Sequence, residues 1–267
     1  MKFKELPLLI KDSNKYFLYR YMSEDKLAFF LKERAIYLTR MDRFKDALEG
    51  ATPYEISELA HFLSSIPESR NNNIPEDTWT YIKESSELAI NEHKAVILAR
   101  QKERYVSSWY LGLDESYAMW ELYAQKGYLI RIPLNVFINS MKDSFKKMRS
   151  AFDSADYFVI GEVRYQGFED MLLNERESLM KFSAFRKSLA FKHEDEYRVV
   201  LHTKKGGDSI LTPIADKFLN NLRIFASPYF SDSEYERRRE YMKVEYSRIL
   251  QQSNLTKWIR FKDRKPI

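Results

Sequence analysis

Two glutamates and an arginine alternate at the start of an apolar stretch late in the chain. Residues 192–201 read Lys-His-Glu-Asp-Glu-Tyr-Arg-Val-Val-Leu, a pattern typical of a polar turn followed by a β-strand. Because side chains alternate along an extended chain, Glu194, Glu196 and Arg198 are predicted to share one face. Neighbouring carboxylates repel, which raises one pKa and suits acid–base chemistry or hydroxyl binding. Arg198 is predicted to hold a ligand's carboxylate or phosphate; the alternative is a solvated acidic turn with Arg198 as internal counter-ion.

Aromatic side chains accompany two further candidates. Residues 18–21 (Leu-Tyr-Arg-Tyr) place Arg20 beside Tyr21, and such a pair can bind a phosphate while the ring stacks on a nucleobase. Trp120 and Tyr123 lie three residues apart on one helical face and are predicted to form the floor of a nucleotide pocket. For both segments the alternative is packing in the core, with Arg20 at a strand edge.

The composition excludes several classes of site. The chain of 267 residues has no cysteine, which excludes disulfides, iron–sulfur clusters and cysteine-bound zinc. Its four histidines are dispersed, so no metal is expected. Only 7 residues are glycine, and neither GxGxxG nor GxxxxGK[ST] occurs. A site made of Arg, Tyr, Trp and Glu side chains remains, while Asp46 and Glu49 are expected to cap a helix rather than bind a cation.

The positive charge is concentrated at the C-terminus. The net charge is +5, but residues 237–267 hold ten basic and three acidic side chains, so the rest of the chain is slightly acidic. Arg237, Arg238 and Arg239 are predicted to contact nucleic acid. The alternative is a solvated helix face followed by a basic tail.

The pattern of elements predicts an α+β fold with a largely antiparallel sheet and a C-terminal helix. Strands are expected at 17–21, 35–39, 105–110, 128–132, 158–165, 197–202, 210–213, 222–226 and 256–261. Helices are expected after Ser23 and at 117–124, 134–148, 168–190 and 232–251, with a helical insert at about 54–104. One domain, 1–267, is expected. No apolar run approaches the ~20 residues of a membrane helix and no leader is recognised, so we expect a cytoplasmic protein without a membrane partner.

The order of these segments resembles the bacterial domain of unknown function 2971 family. The residues that carry the resemblance are Tyr19-Arg20-Tyr21, Ile36–Thr39, Phe44 with Asp46 and Glu49, Met119-Trp120 with Tyr123-Ala124 and Gly127, Val163 with Tyr165, and Lys192 with Glu194, Glu196 and Arg198. They extend over about 17–260. Lys45 and Ala47 stand where the family has Asn and Pro, and His193 stands near a common Trp position.

The layout is also similar to that of ADP-ribosyltransferases, which need neither a metal nor a glycine-rich loop. This resemblance implies that Arg20 or Tyr21 holds NAD, with Thr39 on the second strand. It further implies that Glu196 is catalytic and stabilises an oxocarbenium-like transition state, while Glu194 positions the acceptor.

Three functions follow as expectations. The first is an NAD-using ADP-ribosyltransferase-like enzyme, a toxin or phage-defence effector acting on nucleic acid or protein. The second is a nucleic-acid-binding or nuclease module that uses the basic C-terminus. The third is a sensor or interaction protein without catalysis. Convergence of the predicted site residues on one cleft would favour the first.

Overall fold

A ten-stranded sheet forms the centre of the protein in a computed structural model that describes residues 1–10, 12–46, 48–65, 74–167 and 182–259. Its strands are β1 (Lys2–Glu5), β2 (Phe17–Met22), β3 (Ala35–Arg40), β4 (Arg104–Gly112), β5 (Tyr128–Pro133), β6 (Tyr157–Glu162), β9 (Glu196–His202), β10 (Ser209–Pro213), β11 (Arg223–Ala226) and β12 (Leu250–Gln252). A separate parallel pair consists of β7 (Arg164–Gln166) and β8 (Arg186–Ser188). The helices of the described ranges are α1 (Glu24–Glu33), α2 (Pro53–Ser65), α3 (Glu76–Lys102), α4 (Tyr117–Tyr123), α5 (Leu134–Met148), α6 (Asp216–Asn221), α7 (Asp232–Tyr246) and α8 (Thr256–Ile259).

The sheet is mostly antiparallel. The strand order is β1-β6-β9-β4-β2-β5-β11-β12, and β10 joins through β3, which also pairs with β4. Within this sheet the described ladders are antiparallel except β1–β6 and β11–β12. The expected α+β class, the antiparallel sheet and the C-terminal helix are confirmed, and α2 and α3 form the expected helical insert.

The sheet divides beside β4. One edge of β4 pairs with β9 along Arg104–Tyr110. On the other edge β3 pairs with Tyr105 and Val106, whereas β2 pairs with Tyr110–Gly112. In the described residues, no strand pairs with 107–109 on that edge. We call this gap between β2 and β3, which α1 connects, the fork.

Alternation along β9 separates the core from a polar face. Tyr197, Val199 and Leu201 are fully buried in the main core, where Tyr197 meets the ring of Phe137 of α5 at 6.0 Å. Apolar residues of α5 recur three and four positions apart, so one side of the helix packs on the sheet. Glu196 and Arg198 therefore lie on the opposite face of β9.

Two expected elements differ in the structure. Of the helix expected at 168–190, residues 168–181 lie outside the described ranges. The remainder is wrong, because residues 186–188 pair with β7 as a strand and short 3-10 turns flank them. The strand expected at 256–261 is also wrong over 256–259, where the chain forms α8. The Ser253 hydroxyl accepts the amide of Leu255 at 3.1 Å, which starts this turn instead of extending the chain.

The C-terminal helix begins as expected and ends early. Ser231 and Glu234 form a capping box at its start. Ser247 adopts the left-handed conformation, with φ 51°, and ends α7 after Tyr246 rather than at 251. In the part of the chain that the structure describes, no helix combines the length and the apolar character needed to span a bilayer.

Candidate functional site

A cavity of about 540 Å³ opens at the fork, on the polar face of β9. Its volume lies within the roughly 300–1,000 Å³ that is common for small-molecule sites. Most of the predicted site residues line it: Arg20, Tyr21, Thr39, Tyr123, Glu194, Glu196 and Arg198. These positions are distant in sequence, so the fold brings them together, as the enzyme hypothesis requires.

Arg198 anchors one end of the cavity. Its guanidinium is wholly buried and binds the Glu196 carboxylate through two hydrogen bonds, of 2.7 and 2.9 Å. The same group donates to Glu49 at 2.8 Å and to the carbonyl of Ala184 at 2.6 Å. Since its donors are directed at these oxygens, Arg198 acts as the internal counter-ion and influences the cavity through the carboxylates that it holds.

Lys187 completes this group. Its ammonium lies 2.5 Å from Glu194, 2.9 Å from Glu196 and 3.6 Å from Glu49. The Tyr123 hydroxyl donates to Glu194 at 3.0 Å. We call Glu49, Lys187, Glu194, Glu196 and Arg198 the carboxylate cluster. Three acids face two bases here, so the cluster carries one net negative charge when all are ionised.

The pKa values of Glu194, in the 3-10 turn before β9, and Glu196, the first residue of β9, are shifted in opposite directions. For Glu194, burial raises the pKa above the usual value, as does the hydrogen bond that its protonated form donates to the Glu196 carboxylate. Burial alone would raise the pKa of Glu196 too, but the charge and hydrogen bonds of Arg198, assisted by Lys187, hold it well below its usual range. Glu196 therefore remains ionised, while Glu194 is the carboxylate that can exchange a proton.

Arg20 lines the same cavity at the fork, with its guanidinium on the side of the sheet that Trp109 faces. Its guanidinium donates to the hydroxyl of Ser107 and lies 5.5 Å from the centre of the Trp109 ring. No carboxylate lies within 4 Å of it among the residues that the structure describes, and desolvation lowers its pKa to about 10. A cation in this position, oriented but without an acidic partner, is suited to an anionic ligand.

Aromatic rings also line the cavity, among them Tyr19, Tyr21 and Tyr110. Tyr19 and Tyr110 pack 5.7 Å apart, and Tyr21 meets Trp120 edge-on at 5.1 Å. The Tyr21 hydroxyl accepts the amide of Ser116 at 2.7 Å, which fixes the ring.

Trp120 itself does not line the cavity, contrary to the sequence interpretation. It is wholly buried and donates its indole N–H to Glu115 at 2.9 Å. Its contribution is support for Tyr21, the core alternative raised for this segment.

Two members of the carboxylate cluster were not among the predicted site residues. Glu49 was named for its spacing from Asp46 and as part of the family resemblance, and the structure places it against Arg198 instead of at a helix cap. Lys187 belongs to β8, a three-residue strand without hydrophobic periodicity. A charged side chain in a segment predicted to be buried is the kind of sequence feature that could have indicated Glu49 or Lys187.

The three predicted nucleic-acid contacts lie elsewhere, on α7, in different environments. Arg238 is half-buried, pairs with Glu24 at 2.5 Å, and donates to the Tyr128 hydroxyl at 2.9 Å. Arg239 pairs with Glu236 at 3.2 Å on the surface. Arg237 is exposed and has no carboxylate within 4 Å in the described ranges. The remaining basic tail, 260–267, lies outside those ranges.

No family model, curated protein or solved structure matches this chain. Both resemblances noted in the sequence therefore stay predictions. Within the described residues, no group of three or more His, Asp or Glu side chains is arranged to hold a metal ion.

Proposed function

We propose that this cavity binds NAD and that the protein is an ADP-ribosyltransferase-like enzyme. The observation that carries the proposal is the combination of groups that line one cavity. They are Arg20, a cation with no carboxylate within 4 Å among the described residues, and Glu194 and Glu196, whose pKa values are shifted in opposite directions. A dinucleotide that carries negative phosphates and a reactive ribose matches both kinds of group.

The chemistry assigned to the carboxylates is glycosyl transfer. The bond between nicotinamide and the ribose C1 breaks, and nicotinamide leaves with the electron pair. Positive charge then develops on the ribose beside the Glu196 carboxylate, which is ionised and stabilises it. An acceptor nucleophile forms the new bond to C1 and transfers its proton to Glu194, whose raised pKa suits it to take up a proton.

Release of nicotinamide from NAD tests the proposal. Glu196→Gln keeps the size of the side chain and removes its charge, so we expect release to fall by about 10²–10³-fold. Glu84→Gln, on the exposed side of α3, is the matched control and should retain wild-type release. Release at the wild-type rate by a folded Glu196→Gln protein would overturn the assignment of Glu196.

Folding must be measured alongside, because Glu196 is bound to a buried arginine. The amide of Gln can still accept a hydrogen bond from Arg198, and thermal denaturation reports whether the variant folds. Glu194→Gln provides a second variant at a less buried carboxylate and should also slow release.

Nucleic-acid binding by α7 is the second candidate function. The observation that favours it is the exposed guanidinium of Arg237, which has no acidic partner in the described ranges. Such binding would either stand alone or bring an acceptor to the enzyme. We also propose a cytoplasmic location and a role as a toxin or phage-defence effector.

A further inference from the structure

A second chamber adjoins the candidate site inside the fork. It has a volume of about 420 Å³ and lies between β2 and β3, against α1. Four residues line both this fork chamber and the first cavity: Arg20, Tyr21, Lys26 and Thr39. One ligand can therefore enter both spaces by passing over these shared side chains.

The fork chamber has a different chemistry from the carboxylate end. Phe29 and Tyr37 meet edge-on at 6.0 Å and are 41% and 37% exposed, so their rings are accessible. Phe30 and Met22 are buried in the lining behind them. Among the residues that the structure describes, Asp25 is the one carboxylate in this lining, and the rest of the chamber beside the rings is mainly apolar. Accessible rings in such a space suit a flat heterocycle, which stacks on aromatic side chains.

The junction between the chambers is cationic. Arg20 is oriented by Ser107 and by the Trp109 ring, and Lys26 is exposed on α1. Neither has a carboxylate within 4 Å in the part of the chain that the structure describes. Two cations where the chambers meet suit a negatively charged group that joins the two parts of one ligand, rather than a sugar at the end of a ligand.

We propose that the fork chamber binds a nucleobase and that the ligand is a dinucleotide whose diphosphate lies at Arg20 and Lys26. The ring then occupies the space beside Phe29 and Tyr37, and the far ribose reaches the carboxylate cluster. The position of that far ribose rests on the proposed function. The ring and diphosphate sites rest on the fork itself.

Calorimetric titration of the full chain with ADP-ribose, AMP and pyrophosphate tests this assignment. Phe29→Ala should raise the Kd of AMP and ADP-ribose by about tenfold, because one stacking partner is lost, and should leave pyrophosphate unchanged. Lys26→Gln should weaken all three ligands. Tyr81→Ala removes a 72% exposed ring from α3 and should change none of them.

A second ring variant keeps the test decisive. If Phe29→Ala does not fold by thermal denaturation, Tyr37→Ala is measured with the same expectation. Wild-type Kd values for AMP and ADP-ribose in a folded ring variant would overturn the proposal, as would failure of wild-type protein to bind either ligand.

Failure of the inference and failure of the enzyme assignment give different results. Nicotinamide release with an unchanged KM for NAD in Phe29→Ala removes the fork chamber from the site and leaves the enzyme assignment intact. Ring-dependent binding of AMP without any nicotinamide release supports the fork site and removes the enzyme assignment.

Discussion

Arg198 and Arg20 line the same cavity, yet their surroundings are opposite. Arg198 is enclosed by Glu196, Glu49 and a backbone carbonyl, and these charges raise its pKa well above the usual value. Arg20 has a serine hydroxyl and an aromatic face, and desolvation lowers its pKa to about 10. The charge of Arg198 is paired within the fold, whereas that of Arg20 has no carboxylate within 4 Å among the described residues.

This difference separates residues that maintain the cavity from residues that recognise a ligand. A buried charge is costly unless it is paired, so the carboxylate cluster must be assembled for the fold to be stable. At Arg20 the cost of desolvation is not offset by an acid, which is expected at a site that exchanges water for a charged ligand.

The largest expected effect is on stability. Arg198→Met leaves Glu196 and Glu49 buried without their main partner and should lower the free energy of unfolding by about 3–5 kcal/mol. Urea denaturation measures it. Arg20→Met removes a cation that has no acidic partner among the described residues, and it should leave stability unchanged or slightly higher. Equal losses in the two variants would contradict the contrast between the arginines.

The second expected effect is on ligand affinity. Arg20→Met removes charge-assisted hydrogen bonds worth about 1.5–3 kcal/mol, so the Kd of ADP-ribose should rise by roughly ten- to a hundredfold. Calorimetric titration provides the measurement, and Arg34→Met, at an exposed guanidinium that pairs with Asp216 outside both cavities, is the control. Unchanged affinity in Arg20→Met would mean that the anion site lies elsewhere.

The third expected effect concerns pH. Glu194 must be ionised to accept a proton, so the rate of NAD hydrolysis should fall about tenfold per pH unit below its raised pKa, which lies above the usual ~4.3. Glu194→Gln should be slow and should lack this acidic limb. An unchanged limb in that variant would assign the titration to another group.

Glu194 and Glu196 contribute to stability with opposite dependence on pH. Glu194 binds its proton more tightly in the folded state, so its stabilising contribution is present at low pH and decreases as pH rises through its raised pKa. The contribution of Glu196 is present above the usual glutamate pKa and is lost as pH falls.

The smallest expected effect repeats the comparison on α7. Arg238 is paired with Glu24 and packs on Phe230 at 4.3 Å, so Arg238→Gln should cost about 1 kcal/mol of stability. Arg237→Gln should change stability by less than about 0.5 kcal/mol.

If α7 binds nucleic acid, Arg237→Gln should weaken that binding and reduce its salt dependence, measured by fluorescence anisotropy. Salt-insensitive binding would remove α7 from the interface.

The sequence predicted the strands that form the site better than it predicted the residues that tertiary contacts bring to those strands. Glu196 and Arg198 could be placed on one face because alternation along a strand is a local property. The extended chain expected at Glu194 is wrong: Glu194 ends a 3-10 turn and Asp195 adopts the left-handed conformation, so Glu194 reaches the cluster without strand alternation.

Arg20 was indicated by the tyrosines beside it, and Thr39 was indicated as a site residue only by the resemblance to the layout of ADP-ribosyltransferases. Whether the predicted site residues meet at one cavity could be tested only by the fold. The cavity forms because β2 and β3 pair with different parts of β4, and such pairing is a long-range property.

The parts that the sequence could not indicate depend on tertiary contacts. Lys187 lies on a short strand that forms only through pairing with β7. Its sequence has no periodic hydrophobic pattern from which a strand could be predicted. Trp120 lies on the predicted helix, but its side chain turns toward Tyr21 and Glu115 rather than into the cavity. Helical spacing places residues on a face without showing whether that face meets a ligand or a neighbouring ring.

A crystal structure of the full chain with ADP-ribose tests the central claim most directly. We expect the diphosphate within hydrogen-bonding distance of the Arg20 guanidinium, with the far ribose hydroxyls at Glu194 and Glu196. The adenine is expected in the fork chamber. ADP-ribose bound away from Arg20, or a cavity that stays empty at saturating ADP-ribose, would contradict the claim that the cation and the carboxylates form one nucleotide site.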